Sequence, residues 1–395
     1  MGDRQGPLDG DSPAWWASPM MMDHDQRDSH PLLFGGAYRG KRVLVTGHTG
    51  FKGSWLATWL EHLGAEVAGF SIDVPSSPAN FELLDLEQRL VHFVGDIRDR
   101  ERLAAVIDEF RPEIVFHLAA QSLVRRSYAD PATTFETNAL GMVNLLECLR
   151  TRPWIRAGVL ITSDKAYRND EWCWGYREVD ALGGHDPYSG SKACAELIAH
   201  SYYHSFFRDT PTKIATTRAG NVIGGGDWAD DRIVPDCVRA WSQGDTVTVR
   251  SPQATRPWQL VLEPLSGYLV LGARLLEESA GLNGEAFNFG PAAHVNQTVA
   301  ELIDAMAARW PGAQWEVPED VARGGHEATL LKLSCDKALF HLDWRAVLEF
   351  SETVDFTVDW YGAWHSGETD LYACSVDQIE RYSQMARERG LPWAM

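Results

Sequence analysis

Two side chains that together could move a proton stand four residues apart, Tyr188 and Lys192 in the run Tyr-Ser-Gly-Ser-Lys. Pro187 before them is typical of the first turn of a helix, and this spacing on a helix places both side chains on one face. A free phenol has a pKa of about 10, and a nearby ammonium group lowers it by favouring the phenolate. The pair therefore predicts a base for a sugar or alcohol hydroxyl, although Tyr-x-x-x-Lys alone is common by chance.

A second group of reactive side chains is the run Ser163-Asp164-Lys165. The apolar residues over 157–162 predict a strand that ends there, and α/β active sites collect at the carboxyl ends of strands. A hydroxyl, an acid and an amine in succession suit a site that moves several protons. On its own, the run is equally consistent with a polar loop that holds a local ion pair.

A glycine-rich run links a strand predicted over 42–46 to a helix predicted over 51–63. Such a junction provides a tight turn, a close approach of the backbone to pyrophosphate, and a helix amino terminus that favours negative charge. The junction therefore predicts a dinucleotide site. The residues predicted to bind the dinucleotide here are Gly47, Thr49, Gly50, Phe51, Lys52 and Gly53.

Three later segments are predicted to complete the dinucleotide groove. The first follows the second strand, where an acidic residue often binds the ribose hydroxyls, but Ser71 stands there and Asp73 follows it. This spacing leaves NAD and its 2′-phosphorylated form both open. The second segment could flank the adenine. The third ends a strand with small residues, which would let the protein backbone approach the cofactor. The residues predicted in the three segments are Ser71, Asp96, Ile97, Ala119, Ala120 and Gln121.

Strands and helices alternate along the first half of the chain. After the first pair, strands are predicted over 67–72, 114–118, 157–162 and 214–217, and helices over 99–110, 131–149 and 187–207. Helices of this length between strands indicate βαβ units and a parallel sheet. We expect an α/β fold: a Rossmann-type doubly wound parallel sheet with a smaller C-terminal substrate-binding lobe.

Composition argues against several classes of function. Among 395 residues, 36 are basic and 55 acidic, and this net charge of -19 disfavours a nucleic-acid partner. Apolar runs stay below the roughly 18 to 20 residues that a membrane-spanning helix needs. The six cysteines are scattered without metal-ligand spacing, so we expect no metal and reduced thiols in the cytoplasm.

Several of these motifs, taken together, carry a family resemblance. The chain resembles the extended short-chain dehydrogenase/reductase family, and within it most closely the CDP-glucose 4,6-dehydratases. The resemblance covers about residues 40–344, and its more particular segments are Thr162-Ser163-Asp164-Lys165, Trp174-Gly175-Tyr176-Arg177-Glu178, Gly224-Gly225-Gly226-Asp227-Trp228 and Arg256-Pro257-Trp258-Gln259. Leu260 departs from the histidine expected after Gln259, which leaves the preferred nucleotide base open.

The resemblance implies an internal redox dehydration with NAD as cofactor. Tyr188, assisted by Lys192, would take the proton of the hexose 4-hydroxyl while hydride passes from C4 to NAD, and Ser163 would hydrogen-bond that oxygen. Asp164 would protonate the hydroxyl that leaves from C6. Lys165 occupies the place of the base at C5, a role that requires a lowered pKa. Hydride return to C6 would give a 4-keto-6-deoxy sugar.

The resemblance also implies partners and a domain organisation. The substrate would be a nucleotide sugar, and the family commonly forms homodimers through two helices, here 131–149 and 187–207. Residues 1–39 are expected to be a flexible extension, 40–220 the NAD-binding domain with about 259–291 returning to it, and 221–395 mainly the substrate lobe. The candidate substrate-binding residues are Asn221, Arg232, Arg250, Arg256, His326 and Glu327.

Two alternatives remain open. The chain could be a dehydratase or an epimerase for a dTDP-, UDP- or GDP-linked sugar, because epimerases use the same Tyr/Lys pair. It could also be a catalytically silent NAD-binding scaffold, although such proteins can dispense with the Tyr/Lys pair and the acid at Asp164.

Overall fold

Seven parallel strands form the central sheet of the computed structural model, which describes residues 32–318, 331–367 and 370–395. Their order across the sheet is β11-β6-β5-β4-β1-β2-β3. These strands are β1 (Arg42–Thr46), β2 (Glu66–Ser71), β3 (Val91–Val94), β4 (Ile114–His117), β5 (Ala157–Ile161), β6 (Lys213–Ala219) and β11 (Ala286–Phe289). The predicted parallel α/β sheet is confirmed, and strand order reverses beside β1, where such sheets bind ligands.

Helices cover both faces of this sheet, and others pack with the short strands outside it. They are α1 (Phe51–His62), α2 (Asn80–Leu83), α3 (Arg100–Phe110), α4 (Val124–Ala129), α5 (Pro131–Phe135), α6 (Gly141–Arg150), α7 (Pro187–Tyr202), α8 (Ile233–Gln243), α9 (Leu262–Leu276), α10 (Val299–Ala307), α11 (Asp336–Leu342), α12 (Phe350–Ser366) and α13 (Leu371–Glu388). Side chains alternate along β1, so Val43 and Val45 join a core with α1 and α9, while Leu44 joins a second core with α3, α6 and α7.

Two of the predicted helices contain a π turn. The helix predicted over 131–149 consists of α5, a π turn over Glu136–Leu140, and α6. The helix predicted over 187–207 is α7 followed by a π turn over Tyr203–Phe207. The first π turn lies beside the reactive residues, a common place for such turns.

A second layer of short strands lies beyond the carboxyl edge of the sheet. Its pairs are β7 (Val222–Ile223) with β10 (Gln259–Leu260), β8 (Val247–Thr248) with β13 (Trp315–Glu316), and β9 (Thr255–Arg256) with β12 (Gln297–Thr298). Each strand has only two residues. This lobe is therefore held mainly by helix packing and loops rather than by an extended ladder.

Two segments outside the predicted NAD-binding domain pack against the sheet. Residues 32–39 were expected to belong to a flexible extension, but Phe34 and Tyr38 are buried in the main core, and Tyr38 donates a hydrogen bond to the Leu269 carbonyl. The last helix was expected in the substrate lobe, but α13 packs on α1, where Tyr382 meets Trp59 edge to face. Apolar contact with the first helix places both segments with the sheet. Residues 1–31 lie outside the described part.

Within residues 32–318, 331–367 and 370–395, no helix is both long and apolar enough to cross a membrane.

Candidate active site

The turn between β1 and α1 requires glycine at two positions. Gly47 has a φ of +78°, and a Cβ atom there would lie 2.7 Å from the Ala119 amide nitrogen. A Cβ atom at Gly53 would lie 2.1 Å from the Gly47 carbonyl oxygen. The turn therefore brings β1, α1 and the loop after β4 into backbone contact.

The amino terminus of α1 suits an anionic ligand. No side chain caps this helix, whose N-cap residue is Gly50, and a Cβ atom at Gly50 would meet only the Gly47 carbonyl oxygen, at 3.4 Å. Uncapped N–H groups and the helix dipole favour negative charge at this point. The cradle fits the pyrophosphate of a dinucleotide.

The side chains around the predicted ribose position form hydrogen bonds within the protein. Ser71 Oγ lies 2.9 Å from Nδ1 of His48 and accepts a hydrogen bond from the Thr49 amide at 3.3 Å. Thr49 Oγ1 donates to the Asp73 carbonyl oxygen at 2.7 Å, which ties the loop after β2 to the glycine-rich turn. Burial lowers the pKa of His48 to about 3, so its imidazole is neutral.

The residues predicted beside adenine have structural partners of their own. Arg98 donates to the Asp96 carboxylate from Nε at 2.9 Å and from Nη2 at 2.6 Å. Ile97 is buried, and its side chain packs where a Cβ atom of Gly141 would stand. The backbone of this segment is therefore the part that a cofactor can approach.

Asn138, which sequence reasoning missed, positions the loop after β4. Its Oδ1 accepts from the Gln121 amide at 2.8 Å, and its Nδ2 donates to the Gln121 carbonyl at 3.0 Å and to Ser191 Oγ at 2.8 Å. Asn138 lies in the π turn before α6. Ala119, Ala120 and Gln121 are thereby fixed relative to α7.

Tyr188 and Lys192 lie on the inward face of α7 and are 8% and 6% exposed. Asp186 caps this helix by accepting from the Ser189 amide, as the predicted helix start requires. Burial raises the pKa of Tyr188 to about 12 and lowers that of Lys192 to about 8. Both shifts come from lost hydration, which disfavours phenolate and ammonium alike.

Ser163 and Asp164 lie directly after β5 and are also buried. Ser163 Oγ donates to Asp164 Oδ1 at 2.9 Å and accepts from the Lys165 amide at 3.2 Å. Burial raises the pKa of Asp164, while the charge of Lys165 opposes that rise. The carboxyl group is therefore better able to carry a proton than an exposed aspartate.

The structure brings the phenol and this acid into one site. The Ser163 hydroxyl is close enough to the Tyr188 phenol to lower its pKa, whereas the charge of Asp164 raises it. Lys52 reaches the same region: its half-buried ammonium lies 5.9 Å from the centre of the Tyr268 ring, and the Asp164 charge opposes the burial that lowers its pKa to about 8. The predicted reactive residues thus surround one shared space.

The predicted substrate-binding residues are less enclosed. Arg232 donates to the Asp227 carboxylate at 2.7 Å and is close enough to Tyr188 for their charges to interact. Arg256 is half-buried on β9 and donates to the Thr255 carbonyl at 2.8 Å. Asn221 and Arg250 are exposed. His326 and Glu327 lie outside the described residues.

In the part of the chain that the structure describes, no three His, Cys, Asp or Glu side chains converge as a metal site would require.

The sequence is similar to one protein-family model and to individual dehydratases. The family model described as GDP-mannose 4,6 dehydratase matches residues 44–357. The CDP-glucose 4,6-dehydratase of Salmonella typhimurium is 48% identical over 351 residues, which are 87% of this chain and 97% of that protein. The dTDP-glucose 4,6-dehydratase of Streptomyces antibioticus is 30% identical over 81% of this chain and 92% of that protein.

The fold is similar to the folds of a solved epimerase and a solved dehydratase. An epimerase from Methanothermobacter thermautotrophicus matches with a TM-score of 0.70 and 27% identity, over 84% of this chain and 96% of that one. A dTDP-glucose 4,6-dehydratase from Streptomyces venezuelae, solved with NAD bound, matches with a TM-score of 0.67 and 24% identity, over 84% of this chain and 99% of that one.

Proposed function

The chain belongs to the GDP-mannose 4,6-dehydratase family within the extended short-chain dehydrogenases/reductases, and we propose that it is an NAD-dependent CDP-glucose 4,6-dehydratase. Its product would be CDP-4-keto-6-deoxyglucose, with release of water. The observation that carries this proposal is the shared site of Tyr188, Ser163 and Asp164, which supplies both a base for oxidation and an acid for elimination.

NAD fits the cradle at the start of α1. The Gly47–Gly53 turn and the helix amino terminus would hold its pyrophosphate, Ser71 and the Asp96 segment would lie along its adenosine half, and the loop of Ala119 to Gln121 along the groove. When bound, NAD supplies a reversible hydride acceptor. Relatives of this fold solved with NAD support the assignment.

The oxidation half of the reaction is assigned to α7 and the end of β5. Tyr188 would take the proton of the sugar 4-hydroxyl, and Ser163 Oγ would donate a hydrogen bond to the same oxygen. The ammonium of Lys192, one turn along the helix, stabilises the phenolate. Burial raises the pKa of Tyr188 to about 12, so this charge is needed to make the phenol an effective base.

The elimination half is assigned to the two residues after Ser163. Asp164, whose pKa is raised by burial, would protonate the departing 6-hydroxyl. Lys165 would accept the C5 proton, which the neighbouring 4-ketone makes acidic. This side chain is half-buried in the same loop, directly after the acid.

The lobe of residues 221–318 would bind the nucleotide diphosphate. Arg256 is the leading phosphate ligand, because a guanidinium group can bind oxygens bidentately and because it sits half-buried on β9. Asn221 follows the Gly220 that faces Asp164, at the right place to meet the sugar phosphate. Arg232 and Arg250 would add positive charge to an otherwise acidic protein.

The protein would act as a homodimer in the cytoplasm. Apolar side chains on α5, α7 and their π turns are exposed, among them Leu140 at 56%, Leu197 at 58% and Phe206 at 46%. Such a face on neighbouring helices is typical of an oligomer interface. Light scattering at micromolar concentration should give twice the chain mass, and a monomer would contradict this assignment.

Four nucleotide sugars test the proposed activity. Purified protein with NAD is incubated with CDP-, dTDP-, UDP- and GDP-glucose, and the 4-ketosugar is followed by NMR. We expect rapid ketosugar formation from CDP-glucose and at least roughly tenfold lower kcat/KM for the others. Preference for another base would change the substrate assignment. Epimerised sugar without water release would contradict a dehydratase, and NAD binding without any turnover would indicate a scaffold.

A further inference from the structure

Glu196 is a buried carboxylate two helical turns beyond Tyr188 and one beyond Lys192 on α7. It is 4% exposed and accepts four hydrogen bonds. Arg218 donates two of them, from Nε and Nη2, each at 2.9 Å, Thr216 Oγ1 donates another at 2.8 Å, and the Thr162 hydroxyl donates the fourth. Both carboxylate oxygens are therefore fully used, which explains why Glu196 stays ionised although it is buried.

These four hydrogen bonds join α7, which carries Tyr188, to β6 and to Thr162 at the end of β5. Thr162 is the residue directly before Ser163 and Asp164, and Thr216 and Arg218 belong to the neighbouring strand β6. Arg218 also donates to the Glu178 carbonyl at 3.1 Å, and its guanidinium lies 4.8 Å from the Tyr167 ring centre. Glu196 thus fixes the reactive face of α7 against the end of β5.

Glu196 also dominates the charge environment of Lys192. The charged and titratable groups that interact with this ammonium are Glu196 from α7, His117 from β4 and Lys52 from α1. Burial lowers the pKa of His117 to about 3, so that imidazole is neutral, and Lys52 repels the ammonium. Burial lowers the pKa of Lys192, and the Glu196 carboxylate opposes that change.

We propose that Glu196 is a positioning residue for the dehydratase reaction, which fixes the face of α7 that carries Tyr188 against the end of β5 and keeps the Lys192 ammonium charged. This inference rests on the proposed function. Glu196 touches neither substrate nor cofactor in this scheme, and it acts through Lys192 and Thr162.

Glu196→Gln tests the proposal, because it keeps the shape and removes the charge. We expect kcat to fall roughly 10- to 100-fold through misplacement of the base, with KM changed by less than about threefold. The alkaline limb of the kcat profile should move to lower pH, because Lys192 loses the charge that holds its proton. A merely structural glutamate would lower the melting temperature without moving this limb.

Three further variants protect the test against trivial outcomes. Glu113→Gln removes a carboxylate that is paired with Lys41 at the amino-terminal ends of the strands. It should leave kcat and the pH profile unchanged. Glu196→Asp keeps the charge and should restore the alkaline limb but only part of kcat. If the single variant fails to fold because Arg218 is left buried and unpaired, Glu196→Gln with Arg218→Gln removes both charges and is measured in its place.

An unmoved alkaline limb in the folded Glu196→Gln protein, or in the double variant, would overturn the proposal. A loss of kcat that matches only the loss of folded protein would overturn it as well. Failure of the proposed function is a different result, because the unaltered protein would then form no ketosugar from any nucleotide sugar.

Discussion

The reactive residues and the substrate-binding residues are built differently. Tyr188 lies in the first turn of α7 and Asp164 in the loop after β5, and both are less than 9% exposed. The substrate arginines lie in a lobe of two-residue strands, and the Arg232 side chain is 36% exposed. Core packing fixes the first group before any ligand binds, whereas loops and helix ends carry the second.

This contrast separates the chemistry from the choice of substrate. A buried, hydrogen-bonded site can hold proton donors and acceptors in one geometry for any hexose at this position. Exposed cations bind phosphate at less cost to the fold, and they can be exchanged without disturbing the sheet. Substitutions in the buried site should therefore lower kcat, and substitutions in the lobe should raise KM.

Tyr188→Phe should have the largest effect. It removes the base and keeps the ring, so kcat should fall roughly 10²- to 10⁴-fold while NAD still binds. Steady-state ketosugar formation and NAD titration measure the two quantities. Tyr202→Phe, on the same helix, removes a hydroxyl bonded to Glu147 and serves as the control. Near-normal kcat for Tyr188→Phe would assign the base to another residue.

Asp164→Asn should come next. The amide keeps the shape but has no proton to give to the leaving hydroxyl, so ketosugar formation should slow roughly 10²- to 10³-fold. The oxidation step should persist, and reduced nicotinamide should accumulate on the enzyme in a single turnover. Ser163→Ala, which perturbs both steps, provides the contrast. Normal ketosugar formation by Asp164→Asn would remove this residue from the mechanism.

The pH profile of the unaltered protein gives a third prediction. Lys192, with a pKa of about 8, must stay protonated, so kcat should decline as pH rises above about 8. Rates measured across neutral and alkaline pH, with folding checked at each value, test this. A rate that keeps rising well above that pH would show that the Lys192 charge is not required.

Arg256→Ala should have a smaller effect than the substitutions of Tyr188 and Asp164. Loss of a charge-assisted hydrogen bond to phosphate should raise KM for CDP-glucose roughly 10-fold and change kcat little. Arg250→Ala, in an exposed position, should change KM by less than about threefold. Equal effects of the two variants would contradict the assignment of the main phosphate ligand to Arg256.

Sequence was sufficient for the parts of this molecule that depend on local spacing. Strand β1, the glycine turn and the Tyr188/Lys192 face were predicted because chain neighbours determine them. Ser163 and Asp164 were predicted as a pair, and the structure supplies their burial and their hydrogen bond.

Other features depend on contacts between distant segments. Asn138 lies in a π turn, and the helical spacing of residues in the sequence does not reveal such a turn. Glu196 follows Lys192 at helical spacing, which was the available signal, but its partners on β6 become evident only when the sheet is assembled. Residues 32–39 and α13 are a further example, because their apolar residues complete a core with α1 and α9, far away in the chain.

The fate of a single deuterium atom tests the central claim, that base, acid and cofactor act on one hexose in one site. CDP-glucose labelled with deuterium at C4 is converted by the protein with NAD, and the product is examined by NMR. The account predicts deuterium in the C6 methyl group of the 4-ketosugar, because hydride taken from C4 returns to C6 of the same sugar. Deuterium retained at C4, or lost from the sugar, would contradict it.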